Sequence, residues 1–164
     1  MKYEYNCGVK WYKVEESGCN IMFMGEYRHA LDAKGRLIIP ARFREELQEN
    51  FVVTRGFDGC LRIHTRQQYQ ALLEQLKRLP NTKKETRMYA HVLTVQATEC
   101  NLDNQGRILL SSNLKAAAKI DKDCVVVGVG DHVEIWASDR WDQYYDEASA
   151  SFDDIAEQLT DFLL

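Results

Sequence analysis

The sequence predicts an α+β protein built from two pseudo-repeated halves, each reading strand, loop, strand, short helix, two strands and a closing helix. Three observations carry this. Leu31-Asp32-Ala33-Lys34-Gly35-Arg36-Leu37-Ile38-Ile39 returns 71 residues later as Leu102-Asp103-Asn104-Gln105-Gly106-Arg107-Ile108-Leu109-Leu110, and self-similarity at a fixed offset marks duplicated architecture. Short aliphatic runs flanking glycine-rich turns read as hairpin strands. Apolar residues at helical spacing close each half: Tyr69, Leu72, Leu73 and Leu76 in the first, Trp141, Tyr144, Tyr145 and Ala148 in the second.

Residues 1–21 hold Tyr3, Tyr5, Trp11 and Tyr12 but have no clear period and no counterpart in the repeat. Two readings stay open. The natural start is Met22 and the segment is upstream sequence, or it is a genuine extension packing its aromatics on the body. From there each half runs in parallel. A strand over 25–31, or about 97–102, leads into a loop that turns at Gly35 or Gly106, where glycine tolerates a positive φ. A second strand follows over 36–39 or 107–110. A short helix comes next, with Pro40 suited to its first turn and Phe43/Leu47 as an i,i+4 pair; Ser111-Ser112 and Leu114/Ala118 take those places in the second half.

Two hairpin strands complete the unit. Residues 51–54 and 60–63 flank Gly56-Phe57-Asp58-Gly59; 125–128 and 132–136 flank Gly130-Asp131. Both closing helices are expected to bury one apolar face, and Thr65 with Gln68 reads as a capping box. Leu79-Pro80-Asn81 links the halves, and Thr82-Lys83-Lys84-Glu85 reads as a second capping box opening a helix to about Thr94. Over 151–164, Phe152, Ile155, Ala156, Leu159, Phe162 and Leu163 form one stripe beside an acidic face. This reads as a docking helix, with a mobile end as the alternative.

At 164 residues the chain suits one domain or two small similar ones, and 45% hydrophobic content allows a real core. Its aliphatic runs are too short to span a bilayer. No charged-then-apolar leader opens the chain, so a cytosolic protein is expected. Cys7, Cys19, Cys60, Cys100 and Cys124 are an odd set at wide spacings without a CxxC pair, and His29, His64, His91 and His132 are scattered. That argues against a zinc site or a disulfide framework.

The net charge of −4 argues against a nucleic-acid binder only when taken whole. Residues 22–80 hold ten Lys/Arg and seven Asp/Glu, a net of +3, whereas 81–164 hold eight and fifteen, a net of −7. Arg28, Lys34, Arg36, Arg42 and Arg44 stand against Asp32 alone within 17 residues. Such asymmetry is the footprint of an electrostatic surface.

The repeated loop is the strong motif. Arg36 sits just past the turn glycine, where its guanidinium can make bidentate bonds to a guanine edge or a phosphate. Lys34, Arg42 and Arg44 supply phosphate contacts. Asp32 would be repelled by phosphate and suits a role within the turn or in orienting Arg36. A competing reading is that Asp32 and Arg36 merely tie the turn together.

Residues 22–27 and 31–44, together with Ala97-Thr98-Glu99-Cys100-Asn101-Leu102-Asp103 and the Val133-Glu134-Ile135-Trp136 strand, resemble the bacterial MraZ family. The resemblance runs from Met22 to about the end and is weakest in the tail. It implies two AbrB-like (SpoVT-type) β-α-β-β halves of the swapped-hairpin kind, interleaved into a small β-barrel with flanking helices. The implied boundaries are 1–21 for the extension, 26–68 for the first unit, 69–96 for a helical linker, 97–140 for the second unit and 141–164 for C-terminal helices.

It further implies a sequence-specific repressor, cytoplasmic and nucleoid-associated, that forms a homo-oligomeric ring. Such a repressor binds double-stranded DNA at direct repeats in the promoter of its own division and cell-wall gene cluster. The family's Asp-x-x-x-Arg motif falls on Asp32/Arg36 and Asp103/Arg107, with the arginines as DNA contacts and Gly35 and Gly106 shaping the loops. After the second loop come Ser111, Asn113 and Lys115 where the first has Pro40, Arg42 and Arg44, so the first loop is expected to be the principal contact. No cofactor, metal or membrane is implied. The competing functions are a non-enzymatic structural ring or adaptor and, more remotely, an enzyme. No nucleophile elbow, metal-ligand spacing or GxxxxGK loop supports the enzyme.

Overall fold

The computed structural model describes residues 22–48 and 50–160. The 1–21 segment and, in the tail stripe, Phe162 and Leu163 lie outside the described residues. The first half contains β1 (Phe23–Ala30), β2 (Arg36–Ile38), α1 (Ala41–Leu47), β3 (Asn50–Arg55), β4 (Leu61–Thr65), α2 (Arg66–Lys77) and α3 (Lys84–Val95). The second repeats the order with β5 (Thr98–Asn101), β6 (Arg107–Leu109), α4 (Ser112–Ala118), β7 (Asp123–Gly130), β8 (Val133–Ala137), α5 (Ser138–Ala150) and α6 (Phe152–Gln158).

Six strands form one antiparallel sheet in the order β1-β7-β8-β4-β3-β5, and β2 pairs with β6 as a separate two-stranded ribbon. The halves trade their leading strands. β1 ladders along β7 from Phe23↔Gly130 to Ala30↔Asp123, and β5 ladders along β3 from Asn50↔Asn101 to Val53↔Thr98. Among the described residues the strands do not close into the expected barrel by hydrogen bonds. β1 and β5 remain the sheet's edges, because β2 and β6, three residues each, spend their ladder on one another.

Alternation along the central strands builds two cores. Cys124 and Val126 of β7, with Val133 and Ile135 of β8, join Leu61, Ile63, Phe51 and Val53 in the main core, which Phe43, Leu47, Leu114 and Ala118 of the short helices and Leu37 and Ile108 of the ribbon complete. Val125 and Val127 point to the other face and pack with Trp136, Cys60 and Trp141. The Val125–Val127 run is thus continuous because its strand is buried on both sides.

Local signals decide the helix starts. Thr65 and Gln68 make the expected capping box, and the Ser111 hydroxyl accepts from the Leu114 amide at 3.3 Å. The box expected at Thr82 does not form. α3 begins at Lys84 without a side-chain cap, and Arg87 instead donates to the carbonyls of Asn81 and Thr82 at 2.7 and 2.9 Å.

The closing helices bury less than their stripes suggest. No α2 residue is fully buried, and of the α5 stripe only Trp141 is. Tyr144 and Tyr145 pack at a tilt on Trp136 and Trp141 from outside, with ring centroids 4.8 and 5.4 Å apart. In α6 the expected docking stripe is uncovered, with Phe152 70% exposed. No helix among the described residues is long and apolar enough to cross a membrane.

Candidate nucleic-acid interface

The two copies of the repeated loop fold alike and meet. In the first, Asp32 Oδ1 accepts the backbone N–H groups of Lys34 and Arg36, both at 2.9 Å, and Oδ2 accepts Arg36 Nε at 2.6 Å. In the second, Asp103 Oδ1 accepts from the amides of Gln105 and Arg107 at 2.9 Å each, and Oδ2 accepts Arg107 Nε at 2.8 Å. Gly35 and Gly106 turn the chain at φ +76° and +73°, donating to the Asp32 and Asp103 carbonyls at 2.9 Å. A carboxylate that takes three N–H donors is strongly favoured as the anion. The Arg36 amide, chief among these donors, holds the Asp32 carboxyl below its ordinary range, and the Arg107 amide does the same for Asp103.

The reading that Asp32 and Arg36 tie the turn together is therefore correct for the carboxylate and for Arg36 Nε. It does not use up the guanidinium. The Arg36 guanidinium makes no other hydrogen bond or ion pair among the described residues, and the side chain is 30% exposed. The Arg107 guanidinium makes one more contact, from Nη1 to Asp32 Oδ2 at 3.6 Å, which joins the two motifs across the halves.

The ribbon sets their spacing. Arg36 pairs with Leu109, Leu37 with Ile108 and Ile38 with Arg107. Leu37 and Ile108 point into the core, so the opposite face presents Arg36, Ile38, Arg107 and Leu109. Ile39 donates to the Gly106 carbonyl at 2.9 Å and Leu110 to the Gly35 carbonyl at 3.1 Å, fastening each loop to the other half. Ile38 and Leu109, 40% and 60% exposed, are members of this face that the sequence reading missed. Their signal was the alternation with Leu37 and Ile108 inside a run that reads as uniformly aliphatic.

The other basic residues go to different places. Lys34 and Arg42 are exposed and free of ion pairs among the described residues. Arg44 is not beside the first loop. Its Nε donates to the Ile39 carbonyl at 2.7 Å and its guanidinium occupies the space where a Cβ on Gly106 would stand. Lys115 does the reciprocal service, its Nζ 3.2 Å from the corresponding point on Gly35. Exchanging strands therefore moves Arg44 to the second loop and Lys115 to the first. Arg28 lies on β1 and is clamped by Glu26 at 2.7 Å and by Asp142 of α5 at 2.6 Å. The Asp142 hydrogen bond first, then Glu26, strengthens its hold on the proton.

A second polar cluster lies away from the ribbon. His132 is held between Asp131 Oδ1 at 2.6 Å and Glu134 Oε1 at 3.1 Å, and Glu134 Oε2 accepts Trp136 Nε1 at 2.8 Å. His64 is buried against the Thr54 hydroxyl at 3.0 Å. Cys60, Cys100 and Cys124 are buried thiols, and desolvation raises all three above the ordinary range.

The same duplication appears in comparison with known proteins. Residues 22–92 and 93–163 each match the family model described as MraZ protein. The chain belongs to the MraZ family. Transcriptional regulator MraZ of Ligilactobacillus salivarius (strain UCC118) is 53% identical over 141 residues, covering 86% of this chain and 99% of the relative. The protein of that name from Carboxydothermus hydrogenoformans (strain ATCC BAA-161 / DSM 6008 / Z-2901) is 48% identical over 143 residues, 87% of this chain and 100% of the relative. That from Lactiplantibacillus plantarum (strain ATCC BAA-793 / NCIMB 8826 / WCFS1) is 50% identical over 141 residues, 86% and 100%. MraZ is a family of transcriptional regulators rather than of enzymes.

Proposed function

We propose that the chain regulates transcription by binding double-stranded DNA with the outer face of the β2–β6 ribbon and its two loops, and that it represses its own division and cell-wall gene cluster from direct repeats in the promoter. The observation that carries this reading is the placing of Arg36 and Arg107 on one face of a two-stranded ribbon, each aimed by its own aspartate. A two-stranded ribbon fits the major groove, and an arginine fork matches a guanine edge. Lys34 and Arg42 lie free to meet phosphates. Asp32, Asp103, Gly35 and Gly106 shape the loops, and Arg44 and Lys115 brace them. Arg28, occupied by Glu26 and Asp142, contributes little.

In the same reading the units run over 26–68 and 97–140, each lending its leading strand to the other. The first loop remains the principal contact, since Lys34 is charged where Gln105 is neutral and Arg42 where Asn113 is neutral. Exposed Met88, Val92 and Val95 of α3 and Phe152 of α6 support a homo-oligomer, expected as a ring. Several ribbons on consecutive repeats then gain effective concentration. The protein is placed in the cytoplasm at the nucleoid, without a cofactor.

The test is fluorescence anisotropy of the full chain on the duplex upstream of its own gene and on a scrambled duplex, across a salt series. The expected result is preference for the upstream duplex, a steep fall with salt and loss of the preference in Arg36→Ala. Absence of binding at low salt overturns the reading in favour of an adaptor.

A further inference from the structure

Two of the four side chains on the ribbon's outer face are aliphatic, and their positions are fixed by register. Leu109 stands opposite Arg36, and Ile38 opposite Arg107. They are 60% and 40% exposed, although Leu37 and Ile108, their neighbours on the same strands, are completely enclosed. Packing among the described residues gives Ile38 and Leu109 no reason to be aliphatic. On a strand this short, a solvent-facing position beside two charged loops is an ordinary place for Thr, Lys or Gln.

We infer that Ile38 and Leu109 read thymine, by seating their side chains against its C5 methyl in the major groove beside the bases addressed by Arg107 and Arg36. This rests on the DNA-binding reading above and deepens it. The methyl is the one apolar group that base edges present in the major groove. Directly opposed side chains on neighbouring strands stand about 5 Å apart at Cβ, and base pairs rise about 3.4 Å. An Arg–Leu or Ile–Arg pair can therefore address adjacent steps. Each aspartate fixes its arginine through Nε, so the aliphatic partner keeps a constant place beside it. The checkerboard of two forks and two apolar contacts is a recognition element for mixed guanine and thymine sequence.

Uracil tests this directly, since it keeps every hydrogen-bonding group of thymine and lacks only the methyl. Anisotropy titrations use the full chain on the upstream duplex with single thymines replaced by uracil in turn. A buried methyl is worth about fourfold in affinity, so one or more positions are expected to weaken by about that factor. Leu109→Ala and Ile38→Ala should each weaken the thymine duplex by a similar factor and abolish the uracil effect at one position. Both residues are exposed, and circular dichroism checks that the variants fold.

If uracil has no effect anywhere while binding remains Arg36-dependent, the inference is wrong and the DNA reading stands. If both variants keep the full uracil penalty, or change the oligomeric state instead, the inference is also wrong, and in the latter case the face belongs to a contact between copies. No binding to the duplex removes both readings.

Discussion

The guanidinium of Arg44 occupies the space that a side chain on Gly106 would need. Gly106 also sits at φ +73°, so two independent constraints fall on one position. Gly106→Ala is expected to cost about 2–3 kcal/mol, read as a shift of the urea midpoint. Gly35→Ala should cost less, about 1 kcal/mol, because Lys115 Nζ stands 3.2 Å from that point and can yield, whereas Arg44 lies closer and is anchored on the Ile39 carbonyl. Adding Arg44→Ala to Gly106→Ala should recover part of the loss. An additive double-mutant cycle would show that the guanidinium does not hold that space.

Asp32 and Asp103 predict the acid limit of the loops. Both carboxyls are lowered in the folded chain, by the amides of Arg36 and Arg107 first. Their contribution is present above the unfolded value, about 3.9, and is lost as pH falls through the lower folded values. Urea midpoints measured downward from pH 6 should fall below pH 4, and Asp32→Asn/Asp103→Asn should flatten that part of the curve. An unchanged slope in the double variant would assign acid sensitivity elsewhere.

His132 and His64 should titrate in opposite directions from the ordinary 6.5. The Glu134 hydrogen bond leads the causes that raise His132; burial leads those that push His64 down to about 4. The raised group stabilises fully below the unfolded value and loses that contribution as pH rises through its folded pKa. The depressed one stabilises above the unfolded value and loses its share as pH falls towards about 4. Imidazole NMR titrations should separate the two resonances on either side of 6.5, and His132→Gln should remove the stability loss above that point. Coincident titrations would contradict the network around Glu134.

The arginines and lysines of the first half should divide by location rather than by sequence neighbourhood. Arg36→Ala is expected to cost about 1–3 kcal/mol on the upstream duplex and to relax base preference. Lys34→Ala should weaken all duplexes alike and lower the salt slope by about 1. Arg28→Ala, whose charge is already matched by Glu26 and Asp142, should leave affinity nearly unchanged. A large loss in Arg28→Ala with the fold intact would place β1 at the interface.

Much of this was readable along the chain because it is local. The turns at Gly35 and Gly106, the Thr65–Gln68 cap and the order of elements depend on residues a few positions apart. What sequence reading lost is what distance decides. The ladder of β1 on β7 joins residues about a hundred apart, and the β2–β6 ribbon, with Ile39 bonded to the Gly106 carbonyl, brings the second loop to Arg44. The Thr82 cap failed because the helix starts one residue later than the box requires, which puts Lys83, a side chain without an acceptor, at the cap. The α5 stripe reads as buried, yet only Trp141 is enclosed and the tyrosines pack against it and Trp136 from outside. Ile38 and Leu109 were hidden because a three-residue strand is too short to display its alternation.

Carrying both halves on one polypeptide has a consequence for direction. Two identical chains joined about a twofold axis must present the same residues at both ends of a ribbon, and such an element matches palindromes. Here one end offers Arg36 beside Leu109 with Lys34 behind it, and the other Arg107 beside Ile38 with Gln105. The ribbon has a head and a tail. Under the function proposed above, an element with that polarity is laid down repeatedly in one orientation, so that each copy advances along the duplex the same way as the last.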